Sequence, residues 1–272
     1  MTDTEDKKKD PISKSLYDPL EKAEKVSGIL FWIITVLSLL LVIPTIATST
    51  LFSHPIVQKI TLALLTLNII AVAFSVVLNL FIRLKLFPQA EDARRKDFIS
   101  DTFKVHLTSL RTKGYYNNEE RDPSSRMGLS ALEDLLYTKG VLQSMIITIR
   151  IKALGWLIIF VAIILLRGSS LEAIYTISLA VFSENILVKW ARMEWILDKT
   201  EKLYNDTYRI LHLKLPEDEL LPHAIDVFVD YETDKATASI LSSSKVFNRL
   251  KPSLDKEWEE IKKELKQSIT AN

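Results

Sequence analysis

Cysteine is absent from the 272-residue chain. Without a thiol there is no disulfide framework, no thiolate metal site, no iron–sulfur cluster and no cysteine nucleophile. Glycine is scarce, with six residues in the whole chain, and neither a glycine-rich phosphate loop nor a G-x-S-x-G nucleophile elbow is present. Charge of one sign is also lacking, because 35 Lys and Arg stand against 34 Asp and Glu. This balance argues against binding of DNA or RNA polymers through bulk positive potential.

Two long stretches contain no Asp, Glu, Lys or Arg. The first covers residues 26–58 and the second covers residues 60–82. About 20 mainly apolar residues in a helix cross the hydrocarbon core of a bilayer, so each stretch is long enough for one span. The predicted spans are 26–46 and 60–82, which form a first hairpin, residues 26–82, with a short loop around Pro55.

A second hairpin, residues 146–188, is predicted from weaker signals. Residues 153–166 are uncharged, and they reach the length of a span if Arg150 and Lys152 extend to the lipid headgroups. A turn at 167–170 separates them from a fourth candidate span at 171–188. The alternative is a re-entrant or peripheral helical hairpin, but the sequence favours four spans.

Basic residues concentrate in three segments of the chain. Six lie before the first span, 13 lie between residues 83 and 152, and 14 lie from residue 189 onward. The two short hairpin loops contain only Lys59 and Arg167. Because the cytoplasmic loops of multi-pass proteins are enriched in Lys and Arg, both termini and the middle segment are predicted to be cytoplasmic.

The predicted cytoplasmic segments are residues 1–25, 83–145 and 189–272. The first is interpreted as a disordered lead-in with a weak helix before the membrane. The others show helical periodicity, with helices expected at 190–213 and 253–269, breaks at Pro216 and Pro222, and one β-like stretch at 227–231. The predicted fold class is an all-α membrane protein, with four transmembrane helices in two hairpins and cytoplasmic helical segments.

No pattern of side chains indicates an enzyme or a metal site. The four histidines lie far apart, and none pairs at metal-ligand spacing. Asp226, Asp230 and Asp234 recur every four residues, which could suggest a cation site but is more typical of a solvated helix face. We expect no catalytic residue, no metal and no cofactor.

Small and polar residues follow one face of the second span. They are Thr61, Asn68, Ala71, Ser75 and Asn79, which share a face at 3.6 residues per turn. Polar groups within a span face other helices or water, so the stripe either holds helices together or lines a pore. The candidate pore-lining residues are Asn68, Ser75, Asn79 and Glu184, the last a carboxylate well inside the fourth span.

Short motifs in the cytoplasmic segments are similar to those of a known family. They are Ala93–Phe103 (ARRKDFISDTF), Gly114–Glu119 (GYYNNE), Glu133-Asp134, Asp230-Tyr231 and Leu254–Trp258 (LDKEW). With its spans in matching places, the chain resembles the SMODS-associated four-transmembrane pore-forming effectors of bacterial conflict systems. The family pattern leads us to expect Gly after Phe103, where this chain has Lys104. The resemblance implies a multi-pass effector of the inner membrane, controlled by a cyclic or oligo-nucleotide signal or by the enzyme that makes it.

The middle segment is the predicted contact for such a ligand. A phosphate-bearing ligand requires cations and aromatic stacking faces, and this segment has both. The candidate ligand-binding residues are Arg94, Arg95, Lys96, Arg111, Lys113, Tyr115 and Tyr116. The alternative assigns the basic residues to lipid headgroups and helix pairing.

The predicted function is a pore-forming or membrane-disrupting effector in bacterial antiviral defence that permeabilises the inner membrane when activated. Four helices from one chain barely enclose a water-filled path, so we expect a homo-oligomer within the lipid bilayer. The alternative is a membrane scaffold that recruits a cytoplasmic partner without conducting. A constitutive transporter has less support, because the spans have few charges and no repeat is evident.

Overall fold

The computed structural model describes residues 10–46, 55–112, 115, 116, 118, 120–165, 171, 174, 175, 178, 181, 182 and 184–270, with the side chains of all but 42–46, 184 and 267–270. This part of the chain is helical and contains no strand. The all-α prediction is confirmed for it.

The described residues form seven α-helices. These are α1 (Asp18–Ile46), α2 (Pro55–Phe81), α3 (Phe87–Phe103), α4 (Pro123–Leu165), α5 (Lys189–His212), α6 (Glu217–Ala238) and α7 (Ser244–Thr270). Three π-helical turns also occur in this part of the chain. Ser13–Tyr17 directly precedes α1, Ile82–Leu86 joins α2 to α3, and Glu184–Val188 directly precedes α5.

The chain divides into two compact units. The polar unit consists of Met1–Asp18, Phe87–Ile146 and Arg192–Asn272, and the apolar unit consists of Pro19–Leu86 and Ile147–Ala191. The chain crosses from one unit to the other at four positions. Three of these crossings come within three residues after the end of a π-helical turn.

Three helical stretches are long and apolar enough to cross a membrane, namely Ser13–Leu41, Pro55–Phe103 and Pro123–Leu165. Their apolar side chains remain exposed, with Leu62 and Ile158 at 64% and 68%. Contiguous exposed apolar surface of this extent marks an interaction with a membrane or another protein, and the length and composition of these helices are compatible with a membrane protein. The fourth predicted span, 171–188, is described only in part, with seven of its 18 residues outside the described ranges.

Aromatic rings and small polar groups pack the apolar unit. The ring centroids of Phe31, Trp32 and Trp156 are 5.6 to 6.5 Å apart. Ser27 and Thr35 are buried on α1, and the Thr35 hydroxyl donates to the Phe31 carbonyl, which satisfies it within its own helix.

Helix α4 lies at the centre of the polar unit and packs against other helices on two of its faces. One face contributes Ala131 and Leu135 to a core shared with α3 and α6, where the rings of Phe98 and Phe228 stack at 4.5 Å. The other face packs against α7, whose Trp258 is completely buried.

The start of α4 follows from its sequence. The Asp122 carboxylate accepts from the Ser125 amide at 2.7 Å, and Pro123 fills the first position, where no amide donor is needed.

Two local expectations from the sequence are wrong. The β-like stretch 227–231 lies inside α6, because Ala224, Val227, Phe228 and Tyr231 follow the helical period and all face the core. Pro222 lies within α6 and does not end it. The helix expected before the membrane is present, since residues 11–25 are helical throughout and bury Ile12 completely. The disordered lead-in predicted before it falls on residues 1–9, which lie outside the described residues.

The remaining helix predictions differ less from the structure. The helix expected at 190–213 is Lys189–His212, and the last helix begins earlier than expected, at Ser244, with Pro252 inside it. Ser243 precedes this last helix, and its hydroxyl accepts from the Val246 amide at 3.4 Å. A side-chain cap of this kind explains the earlier start.

Candidate ligand site in the polar unit

Charged and aromatic side chains from five segments of the polar unit come together in one cluster. Two of these side chains belong to the segment before α1, two to α3 and two to the loop between α3 and α4. Helix α4 contributes one more, and helix α6 contributes three. This Arg94 cluster consists of Asp10, Tyr17, Glu91, Arg94, Tyr115, Tyr116, Asp134, Tyr231, Glu232 and Lys235.

Arg94 lies between two tyrosine rings. Its guanidinium carbon is 4.3 Å from the centroid of the Tyr115 ring and 5.5 Å from that of Tyr17, both within cation–π range. Nη2 donates to Asp10 Oδ2 at 2.8 Å, and the Arg94 side chain is only 13% exposed. Nη1 is buried and has no hydrogen-bond partner in the part of the chain that the structure describes. A buried donor without an acceptor is costly, so Arg94 retains an unused capacity to bind an anion.

Lys235 is the second buried cation of the cluster. Its Nζ lies 2.7 Å from Glu91 Oε2 and 2.8 Å from Glu232 Oε1, and 4.8 Å from the centroid of the Tyr231 ring. Burial by itself lowers the pKa of Lys235, but the neighbouring Glu91, Tyr231 and Glu232 outweigh it and hold that pKa well above its ordinary value. Lys235 therefore stays charged and is fully paired.

Asp134 is a buried carboxyl group of the cluster with a raised pKa. Burial raises its pKa from 3.8 to about 7, although Lys235 and Arg94 oppose the shift. The Tyr116 hydroxyl lies 3.5 Å from Asp134 Oδ2. Burial also raises the pKa of Tyr115 to about 12 and the pKa of Tyr116 well above its ordinary value. Both phenols are neutral and can act as hydrogen-bond donors.

The charges of the cluster decide what it can bind. Two cations, Arg94 and Lys235, face the carboxylates of Asp10, Glu91 and Glu232, and Asp134, whose pKa is raised to about 7, lies beside them. An anion added to this arrangement would increase an existing excess of negative charge. The guanidinium, the unsatisfied Nη1 and the flanking rings suit a phosphoryl group, but only one that takes the place of a carboxylate.

The motifs of the family resemblance support the loop that carries Tyr115 and Tyr116. Asp97 on α3 accepts from both the amide and the hydroxyl of Thr112. Asp101, also on α3, binds the Arg126 guanidinium through two contacts of 2.7 and 3.2 Å. Asn118 donates to the Arg126 carbonyl at 2.9 Å. These motif residues fix both ends of the loop, and thereby position the two tyrosines.

The structure brings together three of the seven predicted ligand residues: Arg94, Tyr115 and Tyr116. Arg95 and Lys96 lie elsewhere on α3, each about half exposed, and both pair with Asp92. Arg111 binds the Ser100 carbonyl and the His106 ring, outside the cluster. Lys113 lies outside the described residues.

Several members of the cluster were missed by sequence reasoning. Asp134 and Tyr231 belong to two of the resemblance motifs, which were the available signal for them. Glu91 is one helical turn before Arg94, a spacing that places both on one side of α3. Nothing in the sequence distinguished Lys235 or Asp10 from other surface charges.

The polar stripe of α2 faces α1 within the apolar unit. Asn79 Oδ1 accepts from the Ser27 hydroxyl at 2.8 Å, and Asn79 Nδ2 lies 3.4 Å from Ser75 Oγ. Asn68 Nδ2 donates to the Ser38 hydroxyl at 3.3 Å, which leaves its buried Oδ1 without a partner among the described residues. In this chain the stripe is therefore part of a helix seam. Lining of a pore by these residues stays a prediction, and the side chain of Glu184 lies outside the described residues.

Comparison with protein-family models, curated proteins and solved structures finds no match to this chain. Its function is therefore argued from the Arg94 cluster and the apolar helices.

Proposed function

We propose that the protein is a non-enzymatic effector of a bacterial antiviral defence system, in which a nucleotide signal acts on the polar unit and the apolar unit permeabilises the inner membrane. Four spans, cytoplasmic termini and a homo-oligomeric active form belong to this proposal. The basic segments outside the hairpins support the orientation. The family resemblance supports the defence role.

The observation that carries the proposal is the half-satisfied guanidinium of Arg94. It is buried, lies between two aromatic rings and keeps one nitrogen without an acceptor. Purely structural arginines gain most when every donor is paired. An incompletely paired Arg with stacking faces is suited to a ligand that combines phosphate with an aromatic base.

A non-conducting scaffold is the second candidate, and one observation favours it. The polar groups Asn68, Ser75 and Asn79 bond to each other or to α1. Apart from Asn68 Oδ1, these contacts are made within the chain and do not need a water-filled path. For this candidate the polar unit would recruit a cytoplasmic partner, and the membrane would stay sealed.

Dye leakage from liposomes containing the full chain separates the two candidates. Cyclic and oligo-nucleotides are added in turn, and the wild type is expected to release dye with at least one of them. Arg94→Ala should weaken the response by roughly 10- to 100-fold in nucleotide concentration, the range for losing charge-assisted hydrogen bonds.

Arg95→Ala is the matched control, because Arg95 is adjacent in sequence but exposed and paired with Asp92. It should respond like the wild type. Liposomes that stay sealed with every nucleotide, with normal insertion of the protein, would favour the scaffold. Equal responses of Arg94→Ala and Arg95→Ala would remove the Arg94 cluster as the sensor.

A further inference from the structure

Asp10 fills the Arg94 site in the way that an anionic ligand would. Its Oδ2 accepts from Arg94 Nη2 at 2.8 Å, and its Oδ1 accepts from the Ser13 amide at 2.9 Å. The same carboxylate therefore caps the helical segment before α1 and neutralises a buried cation of α3. Asp10 and Arg94 are 84 positions apart in sequence, so this contact ties the N-terminal segment to the core of the polar unit.

Asp10 satisfies the hydrogen-bonding capacity of the Arg94 guanidinium only in part. One carboxylate oxygen is committed to the helix cap, so only one reaches Arg94, and Nη1 stays unsatisfied. A phosphoryl group has several acceptor oxygens and can engage both outer nitrogens of the fork at once. Such a group would bind Arg94 better than Asp10 does.

Asp10 and a phosphoryl group cannot bind Arg94 at the same time. The cluster already has more carboxylates than cations, since Lys235 is shared between Glu91 and Glu232. A phosphoryl group beside the Asp10 carboxylate would place two acidic groups around one buried guanidinium, which is strongly unfavourable. Binding and the Asp10 contact are therefore mutually exclusive.

We propose that Asp10 is an internal pseudo-ligand, and that a phosphoryl-bearing anion activates the polar unit by displacing it from Arg94 and releasing the segment Asp10–Tyr17. The inference rests on the proposed function in taking Arg94 as the sensing residue. It goes further in assigning the resting occupant of the site, the chemical class that replaces it and the segment that moves. Residue 18, where α1 begins, directly follows the released segment.

The test uses the full chain in lipid nanodiscs with one spin label. Because the chain has no cysteine, Ser15→Cys gives a single label at an exposed position of the N-terminal segment. Label mobility is compared in Asp10→Asn and in Asp18→Asn. The first keeps a capping oxygen and removes the charge at Arg94, and the second removes a charge from an exposed residue of the same region.

Inorganic pyrophosphate is the soluble probe, and phosphatidylglycerol in the disc is the lipid probe, with phosphatidylcholine discs as reference. In phosphatidylcholine alone, the label should be more mobile in Asp10→Asn than in the wild type or Asp18→Asn. Pyrophosphate should mobilise the label of the wild type, and should bind Asp10→Asn at least about tenfold more tightly, because its competitor is weakened. Mobilisation by phosphatidylglycerol without pyrophosphate would identify a lipid headgroup as the source of the phosphoryl group.

Unchanged mobility in Asp10→Asn would overturn the proposal, as would an affinity for pyrophosphate no greater than that of Asp18→Asn. A wild-type label that neither probe mobilises also overturns it. Dye leakage is recorded on the same variants. Displacement of Asp10 without leakage would leave this inference standing and contradict the permeabilising function instead.

Discussion

Lys104 ends helix α3 in the left-handed backbone conformation, with a φ of 55°. A side chain in this conformation costs roughly 1–2 kcal/mol, whereas glycine adopts it freely. The sequence resemblance led us to expect Gly at this position, and a left-handed backbone is the conformation that favours Gly. The side chain of Lys104 offers little in return, since its 3.3 Å ion pair with Asp101 is exposed.

We expect Lys104→Gly to raise the free energy of unfolding by about 0.5–1 kcal/mol, after allowing for the greater entropy of glycine in the unfolded chain. Thermal unfolding followed by circular dichroism in detergent measures the change. Lys104→Ala removes the same ion pair but keeps the strained backbone, so it serves as the control. A glycine variant no more stable than the alanine variant would contradict this explanation.

Asp134 makes the stability of the polar unit depend on pH. Because its folded-state pKa is raised from 3.8 to about 7, the folded state holds a proton that the unfolded state releases within this interval. Its contribution to stability is therefore greatest at low pH, falls as the pH rises through the interval, and stays low above it. Lys235 and Arg94 face Asp134 and reduce the effect, and Glu232 increases it.

Asp134→Asn cannot ionise, so we expect it to gain stability relative to the wild type between about pH 5 and about pH 8, by on the order of 1 kcal/mol or more. Unfolding temperatures at both pH values provide the measurement. Asp92→Asn is the comparison, because hydrogen bonds from Lys96 and Arg95 lower the pKa of Asp92. A difference that does not grow with pH would show that Asp134 is already ionised in the folded protein.

The residues of the site were only partly predictable from sequence, and helix geometry explains the limit. Neighbouring positions on a helix point about 100° apart, so a run such as Arg94-Arg95-Lys96 presents one residue inward and the others outward. Composition finds the run but does not select the buried member. Asp10 and Lys235 join the cluster only through packing of distant segments, which no local pattern records.

At the scale of helices, periodicity over a full element proved more informative than a short motif. The long apolar stretches and the amphipathic helix α5 were predictable because their patterns repeat over several turns. The stretch 227–231 alternates over only five residues, and the longer helical period of α6 prevails there. The predicted start of a helix was wrong where a side-chain cap such as Ser243 determines where the helix begins.

The stripe on α2 gives a prediction at this scale. Asn79→Leu removes an interhelical hydrogen bond and leaves the Ser27 hydroxyl without its acceptor. We expect it to destabilise the apolar unit by about 0.6 kcal/mol or more, seen as a lower unfolding temperature in detergent. Asn68→Leu should act in the same direction.

Thr66→Val is the matched control, because Thr66 is exposed on α2 and its hydroxyl donates to the Leu62 carbonyl of the same helix. It should leave the unfolding temperature unchanged. If Asn79→Leu keeps its stability and its oligomer size but blocks dye leakage, the stripe lines a conducting path instead.

For the whole molecule, the arrangement of the chain across the bilayer is the prediction to test first. With no native cysteine, single cysteines at Ser53, Ser169 and Ser253 report their side of the membrane by reaction with an impermeant thiol reagent in intact spheroplasts. Four spans with cytoplasmic termini predict labelling at positions 53 and 169 and protection at 253. Protection at 169 would indicate a re-entrant second hairpin.

The π-helical turns have a consequence for the evolution of this chain. A π turn holds one residue more than an α turn, and removing that residue would rotate every following position by about 100° around the helix axis. The turn Ile82–Leu86 therefore sets the phase between the stripe that contains Ser75 and Ile82 and the one that begins at Phe87 and Ala90. A single-residue deletion there would keep both segments helical, but every side chain after it would face a different side of the helix axis. Substitutions within these turns should be tolerated far better than any change in their length.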